Sequence, residues 1–250
     1  MIVVLSGEGP SDLGQCNNSQ GQCQIPELDF GPMSIIADKA MARSLGYSML
    51  EVTPDRYVYL SEHKLAELEN ARKRNSRSMS LVGKNREPET GYFYINAWML
   101  GLATLELQNR DYCDDKAIAI LFRDADGTRA KIKGLWEAKL KSMRAGFKRS
   151  ALHERGVPMI PKPKSEAWML CATKPEPYQH CARLEALPGN DTSPNSAKSR
   201  LAHALGGNDS AIEQRRWIED NDFDIDAVSG QMTSFAQFIE DLEKAIASVP

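Results

Sequence analysis

No apolar run in this chain is longer than a β-strand. A membrane-spanning helix needs about 20 consecutive apolar residues, so none is expected. Met1 passes directly into Ile2-Val3-Val4-Leu5 with no basic segment and no small-residue cleavage site, which argues against secretion and for the cytoplasm. The five cysteines, Cys16, Cys23, Cys113, Cys171 and Cys181, form no Cys-x-x-Cys pair and no zinc-ribbon spacing. Ordinary reduced thiols are expected, and Cys181 beside His180 falls short of a four-ligand zinc cluster. An internal repeat is missing too, as is a Walker A sequence, so any ATP dependence would have to come from a partner.

What is present suits a globular protein. The 250 residues are 42% hydrophobic, enough to bury a full core in one elaborated domain or a domain with an appended lobe. Three short apolar runs each end in acidic residues. Ile2-Val3-Val4-Leu5 leads to Glu8 and Asp12, Ala117 to Phe122 leads to Asp124 and Asp126, and Val157-Pro158-Met159-Ile160 leads to Lys162, Lys164 and Glu166. Each reads as a buried strand delivering carboxylates to one edge of a sheet, where an open α/β sheet binds its ligands.

Between these runs the pattern is helical. Helices are expected from Pro32 to about Gly46, from Glu62 to Arg74, from Tyr92 to Leu107 with Trp98, Leu102 and Leu105 inward, and from Lys131 to Lys148. A short strand is expected at Tyr57 to Leu60. Gly14 to Gly31 reads as a polar loop, and Asn75 to Glu89 as a polar, basic and mobile segment. Further helices fit Ser165 to Ala172, Ser196 to Leu205, Ser210 to Asp220 and Ser234 to Ala247. The alternation implies α/β architecture, a mainly parallel three-layer sheet flanked by helices.

The net charge of -3 conceals an asymmetry. Lys64 to Arg86 holds seven Lys/Arg, including Arg72, Lys73 and Arg74, against Glu67 and Glu69. Arg129 to Arg149 holds eight, including Arg129, Lys131, Lys133 and Lys139, against Glu137 alone. The last forty residues are acidic. Basic stretches beside a carboxylate edge suit a polyanion, because Lys and Arg neutralise phosphates and release condensed counterions. The alternative for either stretch alone is a solvated helix face.

Gly7-Glu8-Gly9-Pro10-Ser11-Asp12 lacks the third glycine of a dinucleotide fingerprint and puts an acid where pyrophosphate would approach. Its glycines instead free the backbone so that Glu8 projects. Asp12 reads as a helix N-cap or as a supporting carboxylate. Asp124 and Asp126, two residues apart, can reach one Mg2+ or Mn2+, a hard cation that takes carboxylates, water and phosphate. Turn acids before Gly127 are the alternative, which Glu8 at a second strand end weakens.

These residues resemble the Toprim fold shared by topoisomerases, bacterial primases and OLD-type nucleases. Ser165-Glu166-Ala167-Trp168-Met169-Leu170 and the closing Ser234-Phe235-Ala236-Gln237-Phe238 look like a compact Toprim-like bacterial family often linked to phage defence. The resemblance implies a Rossmann-like catalytic core over residues 1–172, elaborated near 14–31 and 49–89, with a helical C-terminal extension over 173–250. It implies metal held by Glu8, Asp124 and Asp126, with Asp12 and Glu166 as further candidates, and catalysis by Glu8, Asp124, Asp126 and Lys164. Arg72, Lys73, Arg74, Arg123, Arg129, Lys131, Lys133 and Lys162 would contact nucleic acid. The implied activity is metal-dependent phosphodiester cleavage beside an ABC-like or AAA ATPase partner, with self-association left open. A topoisomerase is not expected, because 250 residues leave no room for DNA-gating domains.

Two other readings stand beside it. Asp124-Ala125-Asp126-Gly127-Thr128 also matches the opening motif of haloacid-dehalogenase-like phosphatases, with Asp124 as nucleophile, though that leaves Glu8 idle. A non-catalytic subunit that binds nucleic acid or an ATPase is the third.

Overall fold

Ile2 to Gly7 is buried at every position, as a strand at the centre of a parallel sheet must be when helices cover both of its faces. A computed structural model describes residues 1–9, 12–75, 88–112, 115–125 and 134–249. Its strands are β1 (Ile2–Gly7), β2 (Gly14–Cys16), β3 (Gln22–Cys23), β4 (Leu28–Phe30), β5 (Tyr57–Leu60), β6 (Ala117–Phe122) and β7 (Gly156–Met159). The first helices are α1 (Pro32–Leu45), α2 (Met49–Val52), α3 (Glu62–Asn75), α4 (Pro88–Asp111) and α5 (Leu135–Arg149). They are followed by α6 (Ser165–Thr173), α7 (Ala197–Ala204), α8 (Ala211–Asp220), α9 (Ile225–Ser229) and α10 (Thr233–Ala247).

The main sheet runs β3-β5-β1-β6-β7, with β5, β1, β6 and β7 parallel and β3 antiparallel at the edge. Alternate side chains feed two cores, as the period of two in a strand requires. Val3, Leu5, Tyr57, Ile120 and Val157 face α1, α6 and α10, while Ile2, Val4, Val58, Ala119 and Leu121 face α3, α4 and α5. The result is the expected three-layer α/β fold. The chain winds from β1 outward to β5, then crosses back to β6 and on to β7. The winding therefore reverses between β1 and β6.

Close approach of α4 and α5 depends on Gly146. A Cβ there would collide with the Tyr94 carbonyl oxygen and lie 2.8 Å from the Ala97 Cβ. Gly146→Ala is therefore expected to lower stability by about 1–3 kcal/mol, measured by urea unfolding.

The structure corrects several sequence expectations. Gly14 to Gly31 is more than a loop, because β2 and β4 pair into a small antiparallel sheet and β3 extends the main one. Residues 57–60, inside the segment read as an elaboration, form β5 beside β1 and so belong to the sheet itself. Leu102 points outward, 39% exposed, while Leu100, Ala103 and Leu107 of α4 are buried. Cys16 and Cys23 are disulfide-bonded, as are Cys171 and Cys181, where reduced thiols were expected. Folding of the β2–β4 flap brings the first pair to a Cα separation of 5.6 Å, and the turn after α6 brings the second to 5.3 Å. Both separations suit a bridge, and spacings of seven and ten residues carry no signal of it in the sequence. Cys113 and the segment 76–87 lie outside the described residues.

Candidate active site

β1 and β6 end level with each other, Gly7 opposite Phe122, so the residues that follow emerge together at the carboxyl edge. This is the point where the winding reverses, and open α/β sheets bind ligands there because the flanking loops part to opposite faces. Glu8 and Asp124 meet at that point. Glu8 Oε1 accepts a hydrogen bond from the Asp124 backbone N–H at 2.8 Å. Glu8 Oε2 lies 3.0 Å from Arg123 Nη2.

Arg123 turns inward. Its other terminal nitrogen lies 2.7 Å from Glu62 Oε1, at the start of α3, and Asn96 Nδ2 donates to the same oxygen at 3.3 Å. The guanidinium stands 5.5 Å from the Phe93 ring centroid, and its Nε is buried with no hydrogen-bond partner among the described residues. Its charge balances two carboxylates of the chain, whereas the sequence reading had offered it to nucleic acid.

A second link crosses from β6 to α6. Asp124 Oδ1 accepts from the Ser165 backbone N–H at 3.1 Å, and Ser165 Oγ donates to Asp12 Oδ1 at 2.8 Å. Ser165 opens α6, so the positive end of the helix dipole favours both anions. Asp12 is thus not a side-chain cap. The N-cap of α1 is Gly31, and the Asp12 carbonyl accepts from the Met33 N–H in the first turn of that helix.

Glu166 follows Ser165 on α6. Its Oε2 is buried and has no hydrogen-bond partner among the described residues. Burial pushes its carboxyl above the usual glutamate range, the charges of Asp12 and Asp191 push the same way, and Lys164 opposes them. Lys164 Nζ pairs with Asp191 Oδ1 at 2.9 Å. A folded-state pKa above the unfolded one means that folding disfavours ionised Glu166, so stability falls as pH rises through the folded value. Glu166→Gln is therefore expected to gain nothing at pH 4 and to raise the melting temperature increasingly through neutral pH, in metal-free buffer.

Lys139 is a site residue that the sequence reading counted only as part of a basic stretch. It is 2% exposed, and its Nζ donates to the Ala125 carbonyl at 2.8 Å. The clue lay in periodicity, since Lys139 falls on the stripe Trp136, Leu140, Met143 and Phe147 of α5. Of the residues expected at nucleic acid, Arg72 lies 4.1 Å over the Trp98 ring and Lys73 pairs with Glu69 at 2.6 Å. Arg74 is exposed, and Lys162 is half-buried with Nζ 6.0 Å from the Trp136 ring centroid. Asp126, Arg129, Lys131 and Lys133 lie outside the described residues.

Among the described residues no group of three His, Cys, Asp or Glu side chains is assembled to hold a metal ion. The carboxylates that are described stand as Glu8 by Asp124, and Asp12 joined to Asp124 through Ser165. Carboxylate oxygens are the donor type a hard cation takes, and Glu166 Oε2 is buried with no hydrogen-bond partner among the described residues. No family model, curated protein or solved structure matches this chain.

Proposed function

We propose that this protein is a metal-dependent nuclease that cleaves phosphodiester bonds in DNA or RNA with a Toprim-like carboxylate edge. The observation that carries the reading is the contact between Glu8 and the Asp124 backbone where the winding of the sheet reverses. Two acids 116 residues apart in the chain are tied together at the ligand-binding edge of the fold.

On this reading Glu8, Asp124 and Asp126 would hold Mg2+ or Mn2+, with Asp12 and Glu166 as further candidates. Such an ion, when bound, polarises a phosphate and lowers the pKa of water. The chain's own part is positioning. Arg123 pairs with Glu8 and holds it in place, Ser165 orients Asp124 and Asp12 together, and Lys164 and Lys162 bring positive charge to the same edge. The phosphatase reading gives Asp124 a role and leaves Glu8 none, so the Glu8–Asp124 contact favours the nuclease.

An ATPase partner and a role in phage defence belong to the same proposal. Exposed acids along α8 and α10, including Glu219, Asp220, Glu240 and Glu243, would offer such a partner its docking face. No helix among the described residues is long and apolar enough to cross a membrane. The cytoplasm is also part of the proposal. Disulfides are rare in that compartment, so electrophoresis of thiol-blocked extract under non-reducing conditions tests whether the two bridges form there.

The functional test incubates the purified protein with Mg2+ or Mn2+ and plasmid DNA, linear DNA, total tRNA or a generic phosphomonoester. Cleavage of a nucleic acid that stops on chelation is expected. Hydrolysis of the phosphomonoester alone would replace the nuclease with the phosphatase.

A further inference from the structure

Lys139 is the buried lysine among the described residues, 2% exposed on the stripe of α5 that faces the α3–α5 core. Desolvating an ammonium is expensive unless its hydrogen bonds and charge are used. The Phe93 ring centroid lies 5.2 Å from its Nζ and 5.5 Å from the Arg123 guanidinium carbon, so two cations lie against one aromatic ring beneath the carboxylate edge. The Ala125 carbonyl accepts a hydrogen bond from Lys139 Nζ, and the Ala125 N–H donates to the Pro161 carbonyl at 3.0 Å. Both backbone polar groups of Ala125 are therefore committed. Asp124 sits between this pinned residue and Phe122, the last residue of β6.

We propose that Lys139 is a positioning residue that fixes the Asp124–Ala125 segment from below, through the Ala125 carbonyl, so that Asp124 presents its carboxylate beside Glu8. The inference rests on the nuclease reading for its catalytic consequence, and on geometry alone for its structural one. A lysine reaches this carbonyl from α5 because four methylenes span the apolar layer while the ammonium makes its bonds at the far side, the inward counterpart of a snorkelling side chain.

The test compares Lys139→Met, Lys139→Arg and the exposed control Lys141→Met by amide hydrogen exchange, without metal or nucleic acid. Lys139→Met is expected to cut protection of the Asp124 and Ala125 amides by roughly tenfold, the loss of one buried hydrogen bond. Core amides of β1 and β6 should be unchanged, Lys139→Arg should retain most of the protection, and Lys141→Met should retain all of it. In the cleavage assay, Lys139→Met should lower kcat between about 10- and 100-fold with KM for nucleic acid unchanged, as loss of an outer partner does.

Unchanged protection in Lys139→Met would overturn the proposal, and so would an arginine variant that falls as far as the methionine one. Failure of Lys139→Met to fold, read by circular dichroism, would also overturn it, because a positioning role requires the fold to stand without the ammonium. If the wild-type chain cleaves nothing, the nuclease reading falls while the exchange result still decides the role of Lys139.

Discussion

Glu8→Gln and Asp124→Asn are each expected to lower nucleic-acid cleavage on the order of 10^2- to 10^3-fold, with substrate binding largely preserved. On the proposed mechanism, loss of one carboxylate would weaken the hold on an ion that would supply several kcal/mol of transition-state stabilisation, and every 1.36 kcal/mol is tenfold in rate. The two substitutions differ in what they disturb. An asparagine at 124 can still accept from the Ser165 N–H, so the fold and the α6 junction should survive intact. A glutamine at 8 can accept from the Asp124 N–H but cannot balance Arg123, so this variant should also melt earlier. If both acids serve one ion, as proposed, the double variant should be little slower than either single one. Single-turnover cleavage with gel-shift binding measures both quantities. Activity lost in Asp124→Asn but kept in Glu8→Gln would move the chemistry to a nucleophilic aspartate.

Trp168→Ala should be the most damaging core substitution. Trp168 is fully buried, edge-on to Phe235 at 4.9 Å and stacked on Phe238 at 5.9 Å, and its indole N–H donates to Ser234 Oγ at 2.9 Å. Removing the ring leaves a cavity and an orphaned hydroxyl, at about 3–5 kcal/mol. At roughly 2–4 °C per kcal/mol for a chain of this size, the melting temperature should drop by about 6–20 °C. Trp168→Phe should recover most of that loss, and differential scanning calorimetry of the three proteins decides it. A drop below about 2 °C for the alanine variant would mean that the α6–α10 contact contributes little.

The same tryptophan explains what the sequence could and could not tell. The stretches around Ser165 to Leu170 and Ser234 to Phe238 stand out as motifs, and in the structure their aromatic residues make one packing contact between α6 and α10. The strands were legible because β1, β6 and β7 are short apolar runs buried on both faces. Glu8 and Asp124 stood out because each follows such a run, and the fold brings both to one edge of the sheet. The charges behind them were not. Arg123 and Lys139 look like basic surface in the sequence because their partners, Glu8, Glu62 and the Ala125 carbonyl, are set by the fold. Leu102 was misjudged because the apolar stripe of α4 is broad, and the line of contact with the sheet passes through Leu100, Ala103 and Leu107. Ser165 was invisible as a bridge, since joining Asp12 to Asp124 requires α6 to begin where β1 and β6 end.

The core on the α10 side of the sheet gathers residues from Val3 to Ala245. During synthesis, Trp168 leaves the ribosome well ahead of Phe235 and Phe238. At roughly 5–20 residues per second, that delay lasts several seconds. Throughout it, the apolar surface that α10 covers, beside α1 and α6, stays open. A nascent chain of this kind is a natural client for a holding chaperone, and its yield in cells should respond to chaperone supply more sharply than the stability of the finished fold would suggest.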